Sequence, residues 1–177
     1  MPELTLTFIV SQILMFVAMW TDFLSMQFKN RKYIFGALII SAILISAHYF
    51  LLDKTTAGII VTISVFRFIT CYFTTNKKYL YLFLVLNTLA LIFSYTEVYD
   101  LIIYIGLFVF IIWNFQKDNK KMRLIMMLGT AIVMSYNIFI FSPMWVVAEG
   151  SFLLSHMIGY YRYYIRKNKL KNYIIEQ

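Results

Sequence analysis

Charge is what this sequence has least of. Only 14% of its 177 residues are Asp, Glu, Lys or Arg, and 62% are hydrophobic, where a soluble domain carries about a quarter charged residues. That shortage excludes a soluble globular domain and leaves an integral membrane protein. Cysteine is nearly missing too: Cys71 is alone, so there is no internal disulfide and no metal–thiolate cluster. Two histidines, His48 and His156, without a clustered third ligand make no metal centre. No phosphate loop, nucleophile elbow or zinc motif occurs, and no cofactor is expected. The opening MPEL has neither a basic region nor a small-residue cleavage site, so the first apolar segment is expected to be retained as a span.

What the chain has in abundance is long apolar runs. Seven stand at about 4–27, 33–52, 57–74, 79–95, 98–115, 122–141 and 145–165, each near the length that carries a helix across a ~30 Å hydrocarbon core. The polar breaks FKNRK, DKTT, TNKK, TEVYD, QKDNKK and FSPM separate them. The runs are continuous and lack the alternation of a membrane barrel strand, so helices are expected. Pro143 falls in the last break, where it can start a helix without losing a bond.

The basic residues set an orientation. Lys29, Arg31 and Lys32 lie in the first break, Lys77 and Lys78 in the third, and Lys117, Lys120, Lys121 and Arg123 in the fifth. Arg166, Lys167, Lys169 and Lys171 follow the last segment. With seven spans, these thirteen of sixteen basic residues share one side, against Lys54 alone on the other, beside Glu3, Asp53, Glu97 and Asp100. The positive-inside rule predicts a multi-pass protein with its N-terminus outside and a cytoplasmic C-terminal tail at 166–177. The net charge of +8 then reads as a cytoplasmic collar that attracts anionic lipid headgroups, not as a nucleic-acid surface. The run YYRYY at 160–164 reads as an interfacial aromatic belt.

A shift of 89 residues lays SAILISAH (41–48) on TAIVMSYN (130–137). At the same offset Arg31 and Lys32 meet Lys120 and Lys121, and Arg67 meets His156. The fold predicted is all-α and membrane-integral: a first three-helix repeat over 4–74, a linker helix at 79–95, and a second repeat over 98–165. A single linker helix gives both halves one orientation, a parallel 3+1+3 repeat expected to share a polar cavity near mid-membrane.

Ionisable residues inside such spans mark candidate sites. Arg67, placed near the midplane, is the sharpest, with a structural ion pair to Glu149 as the plain alternative. Ser64, Arg67, Cys71 and Thr74 share one helix face, as do Glu149, Phe152, His156 and Gly159. With His48 and Asn137 they form the expected solute path: Arg67, Glu149, His156, His48, Asn137 and Ser64. Asp22 and Arg162 are candidates for a structural ion pair, although Arg162 can also snorkel to the interface. Gly150 and Gly159, like Ala57 and Gly58, are small and read as allowing close helix contact or bending, with packing the default.

EGSFLL at 149–154, HYFLL at 48–52, Asn137 and Arg67 resemble the bacterial inner-membrane YgjV family across most of the chain. That resemblance implies a bacterial inner-membrane location. It also implies a grouping with seven-helix carriers of the SWEET (MtN3) and PnuC types, in agreement with the 3+1+3 pattern; the proline–glutamine pairs of SWEET proteins are absent here. The expected function is transport of a small polar solute by alternating access of two three-helix bundles. A membrane-embedded enzyme, a lipid-binding protein and a structural or regulatory subunit are the alternatives. Membrane lipids and the solute are the expected partners. A three-helix half encloses little, so a homodimer is expected as well.

Overall fold

A computed structural model of the chain describes residues 6–53, 55–94, 100–139 and 143–166. Among them are seven α-helices and no strand: α1 Leu6–Ser25, α2 Arg31–Leu51, α3 Thr55–Phe73, α4 Lys77–Ser94, α5 Asp100–Asn114, α6 Asn119–Phe139 and α7 Pro143–Tyr160. A π-helical segment, Tyr161–Arg166, continues α7. Each helix coincides with one of the seven apolar runs. Among the described residues, α1 and α2 are the two helices long and apolar enough to cross a membrane. The fifth helix is shorter, with 15 described residues, or about 22 Å at the α-helical rise. Bounds aside, the all-helical architecture is the expected one.

The first, third and fifth breaks begin the helices that follow them in the same way. In each, an Asn or Asp oxygen accepts the backbone N–H two residues on: Asn30 from Lys32 at 3.0 Å, Asn76 from Lys78 at 3.0 Å, and Asp118 from Lys120 at 2.7 Å. These caps satisfy donors that a helix start leaves without an intrahelical acceptor. The turn after α2 needs a left-handed residue, and Asp53 takes it at φ 56°, a conformation that Asp tolerates better than branched residues do.

The chain divides into two compact units, Met1–Phe73 and Thr74–Gln177. In the first, α2 packs against both α1 and α3, and polar atoms stitch all three helices. Ser41 Oγ donates to the Ala18 carbonyl of α1 at 3.2 Å, and His48 Nδ1 lies 2.8 Å from the Ser11 carbonyl. On the other side, Ser46 Oγ donates to the Gly58 carbonyl at 3.2 Å and meets Thr62 Oγ1 at 2.7 Å. Phe35 packs against Phe68, their ring centres 6.2 Å apart. Small hydroxyl residues at such crossings allow close approach and give interhelical bonds that lipid cannot replace.

In the second unit α6 packs against α5 and α7, and α4 lies on α5. A Cβ added to Gly106 of α5 would stand 2.6 Å from Val133 Cγ2, and one added to Gly129 of α6 would stand 2.8 Å from the Phe110 ring. These two helices touch because each presents a bare backbone where the other presents a side chain. Gly150, expected to allow close contact or bending, has nothing within 4 Å of an added Cβ among the described residues. Thr88 and Tyr104 hydroxyls meet at 2.9 Å between α4 and α5.

Apolar side chains cover the outside: Phe93 is 86% exposed, Phe73 79% and Leu6 78%. Ser11, Ser25, Arg123, Thr130, Ser155 and His156 are fully enclosed. This inverts the arrangement of a soluble domain, where large exposed apolar surface is costly and enclosed charge is rare.

Candidate functional site: enclosed polar groups on α3 and α7

Arg67 is 8% exposed. Its Nη2 donates to Ser64 Oγ, one turn earlier, at 3.4 Å. The guanidinium also lies 5.2 Å from the Phe68 ring centre, and its buried Nε makes no hydrogen bond. No carboxylate meets it among the described residues of its unit. Instead Cys71, itself enclosed, lies within electrostatic reach of both Arg67 and Arg31. Two cations thus gather where α3 ends and α2 begins. Arg67 stands six residues before Phe73, the last residue of α3, or about 9 Å from that end. It is also three residues, about 4.5 Å, past the middle of that helix. Helix α3 starts ahead of the expected boundary, and the guanidinium belongs with Arg31.

His156 on α7 is the second unit's counterpart. It is fully enclosed, both ring nitrogens lack a hydrogen-bond partner among the described residues, and the Phe152 ring packs edge-on against it at 4.7 Å. Arg123 of α6 is within electrostatic reach. Arg123 is enclosed too, 5.6 Å from the Tyr163 ring centre and in hydrogen-bonding reach of Tyr164. Glu149 is half-buried on α7, two turns before His156 on the same face, with Phe152 between them in sequence.

The other expected residues fall into place as follows. His48 is spoken for by the Ser11 carbonyl and stands at the far end of α2 from Arg31, so it does not join Arg67 within its unit. The Asn137 side chain lies outside the described residues. Asp22 is half-buried, within hydrogen-bonding reach of the Ser41 hydroxyl. Arg162 stacks over Tyr163 at 5.4 Å. Asp22 and Arg162 belong to different units, as do Arg67 and Glu149.

Two of the basic residues counted with the collar are partly or wholly enclosed. Arg31 lies 4.5 Å from the Phe35 ring centre and is half-buried, and Arg123 has no exposed surface. The signal for Arg123 was present. It shares with the buried Met126 and Thr130 an i, i+3, i+7 stripe, the spacing of one helix face. Thr130 closes that stripe with a buried hydroxyl that has no partner among the described residues.

Helices with apolar outer faces and inward-turned arginine, histidine and serine place the protein among helical membrane proteins. The family model of a bacterial inner membrane protein, Imp-YgjV, matches residues 9–167, and the chain belongs to that family. No curated protein and no solved structure matches it.

Proposed function

We propose that this protein is a carrier for a small polar solute in the bacterial inner membrane, with all seven helices spanning it. In this reading the N-terminus is outside and the C-terminus cytoplasmic. The chain is built as three helices, a linker (α4) and three more, and the two bundles work by alternating access. The groups assigned to the solute are Arg67 and Ser64 in the first bundle and Glu149, Asn137 and His156 in the second, while His48, held by the Ser11 carbonyl at the other end of α2, is left to helix packing.

The observation that carries this reading is Arg67, enclosed and meeting no carboxylate among the described residues of its unit. An arginine at membrane depth costs about 3 kcal/mol even on the mildest insertion scales, and such residues almost always pair or serve a pathway. A purely structural arginine would be expected to hold an acidic partner. His156, with two unsatisfied ring nitrogens, repeats the situation in the second unit at the position 89 residues on, and α2 and α6 each pack against both neighbours of their triplet. Both facts favour the repeat.

Reconstituted liposomes and a panel of small sugars, amino acids and organic anions, followed by stopped-flow light scattering, test it without a known substrate. At least one solute should equilibrate faster than in empty liposomes, and Arg67→Ala or Glu149→Gln should abolish that flux while the protein still elutes as a folded species. If no solute in the panel moves faster than through bare lipid, or both variants transport normally, the carrier reading fails.

A further inference from the structure

The end of the second unit where α4 and α6 begin and α5 finishes holds a cleft of about 860 Å³. Its rim carries Lys77, Lys117 and Lys121, all exposed, and its wall carries Leu80, Ile112 and Phe115. The carboxylate that also lines it, Asp118, has one oxygen engaged at 2.7 Å by the Lys120 backbone N–H as the cap of α6. Among the described residues of the cleft, three cations therefore face a single carboxylate. The first turns of α4 and α6 open on the same cleft with the positive ends of two helix dipoles, against the negative end of α5 alone. None of these residues belongs to the solute groups assigned above.

We propose that this cleft seats the headgroup of an acidic glycerophospholipid. Charge complementarity selects an anion, and basic pockets among transmembrane helices at the membrane surface are the usual seats of such headgroups. The apolar wall selects the lipid over free phosphate, since an inorganic ion gains nothing from Leu80, Ile112 and Phe115, whereas the glycerol and first acyl carbons bury against them. Size agrees: the volume lies in the ~300–1,000 Å³ range of organic-ligand pockets, far more than a bare phosphate fills. Exposed Tyr79 and Tyr81 on α4, 43% and 62% accessible, are the aromatic residues expected at headgroup level. The lipid is held whether or not the protein carries a solute.

Native mass spectrometry of the full-length protein in mild detergent, titrated with phosphatidylglycerol or phosphatidylcholine, tests the assignment. The cleft variant is Lys77→Gln/Lys117→Gln/Lys121→Gln. The control, Lys32→Gln/Lys78→Gln/Lys120→Gln, removes as many exposed lysines from outside the cleft. Wild type and control should retain phosphatidylglycerol over phosphatidylcholine. The cleft variant should lose roughly fivefold in affinity per lysine, about a hundredfold in all, with an unchanged thermal unfolding profile. Equal losses in both variants would show a diffuse collar effect and overturn the site. So would a wild type without preference for the acidic lipid, or one from which millimolar inorganic phosphate displaces it.

Discussion

Replacing two glycines by alanine should change stability in opposite directions. At Gly106 the new methyl would sit 2.6 Å from Val133 Cγ2, with the Val133 backbone nitrogen 3.6 Å away. Ordinary carbon contacts lie at about 3.5–4.0 Å, so α5 and α6 must separate by about 1 Å or Val133 must leave its rotamer. Valine is stiff about χ1 and is 7% exposed here, so neither adjustment is easy. Overpacking of this kind costs about 1–3 kcal/mol, offset by the roughly 0.5–1 kcal/mol by which alanine surpasses glycine inside a helix. Gly106→Ala should therefore lose about 1 kcal/mol. Gly150→Ala meets nothing within 4 Å among the described residues and should gain the propensity difference alone, about 0.5–1 kcal/mol. Together these separate the variants by about 2 kcal/mol, or roughly 4–8 °C in midpoint for a chain of this size. Intrinsic-fluorescence melts in one detergent, with Gly106→Ala/Val133→Ala as a rescue, read the difference directly. A Gly106→Ala protein as stable as Gly150→Ala, or a double variant with no recovery relative to its single parents, would refute close packing of α5 on α6.

The remaining expectations concern polar contacts. Ser46→Ala removes the hydroxyl shared between the Gly58 carbonyl and Thr62; interhelical bonds in membranes average about 0.6 kcal/mol and reach about 1.7. A loss in that range is expected from detergent-denaturation curves, while a neutral outcome would mean that Thr62 keeps the Gly58 carbonyl satisfied by itself. Asn76→Ala and Asp118→Ala should each cost about 1 kcal/mol by uncapping α4 and α6. Fraying there should show as faster amide exchange confined to the first turn, and protection unchanged from wild type would count against the caps.

Helix number was legible because hydropathy averages over a whole segment, and FKNRK, TNKK and QKDNKK announce both the break and the Asn or Asp that starts the next helix. Helix faces were less legible. Arg31 and Arg123 carry the same letters as their exposed lysine neighbours, and only packing against Phe35 and Tyr163 distinguishes them. The stripe Arg123, Met126, Thr130 could have flagged one of the two. Gly106 and Gly129 could not be ranked above Gly150, because what a glycine admits depends on the side chain opposite. The burial of Arg67 and His156 was readable, since an ionisable residue amid apolar neighbours has few other places to go.

The two helices long and apolar enough to cross a membrane among the described residues, α1 and α2, also leave the ribosome before the other five. They can partition from the translocon as a hairpin while the rest is still being made. Once in place, α2 presents Ser46 on the side away from α1, a polar handle that an arriving third helix with Thr62 can grip before its own arginine must face hydrocarbon. On the seven-span reading proposed above, the order in which the first three helices are synthesised matches the order in which they can enter the membrane.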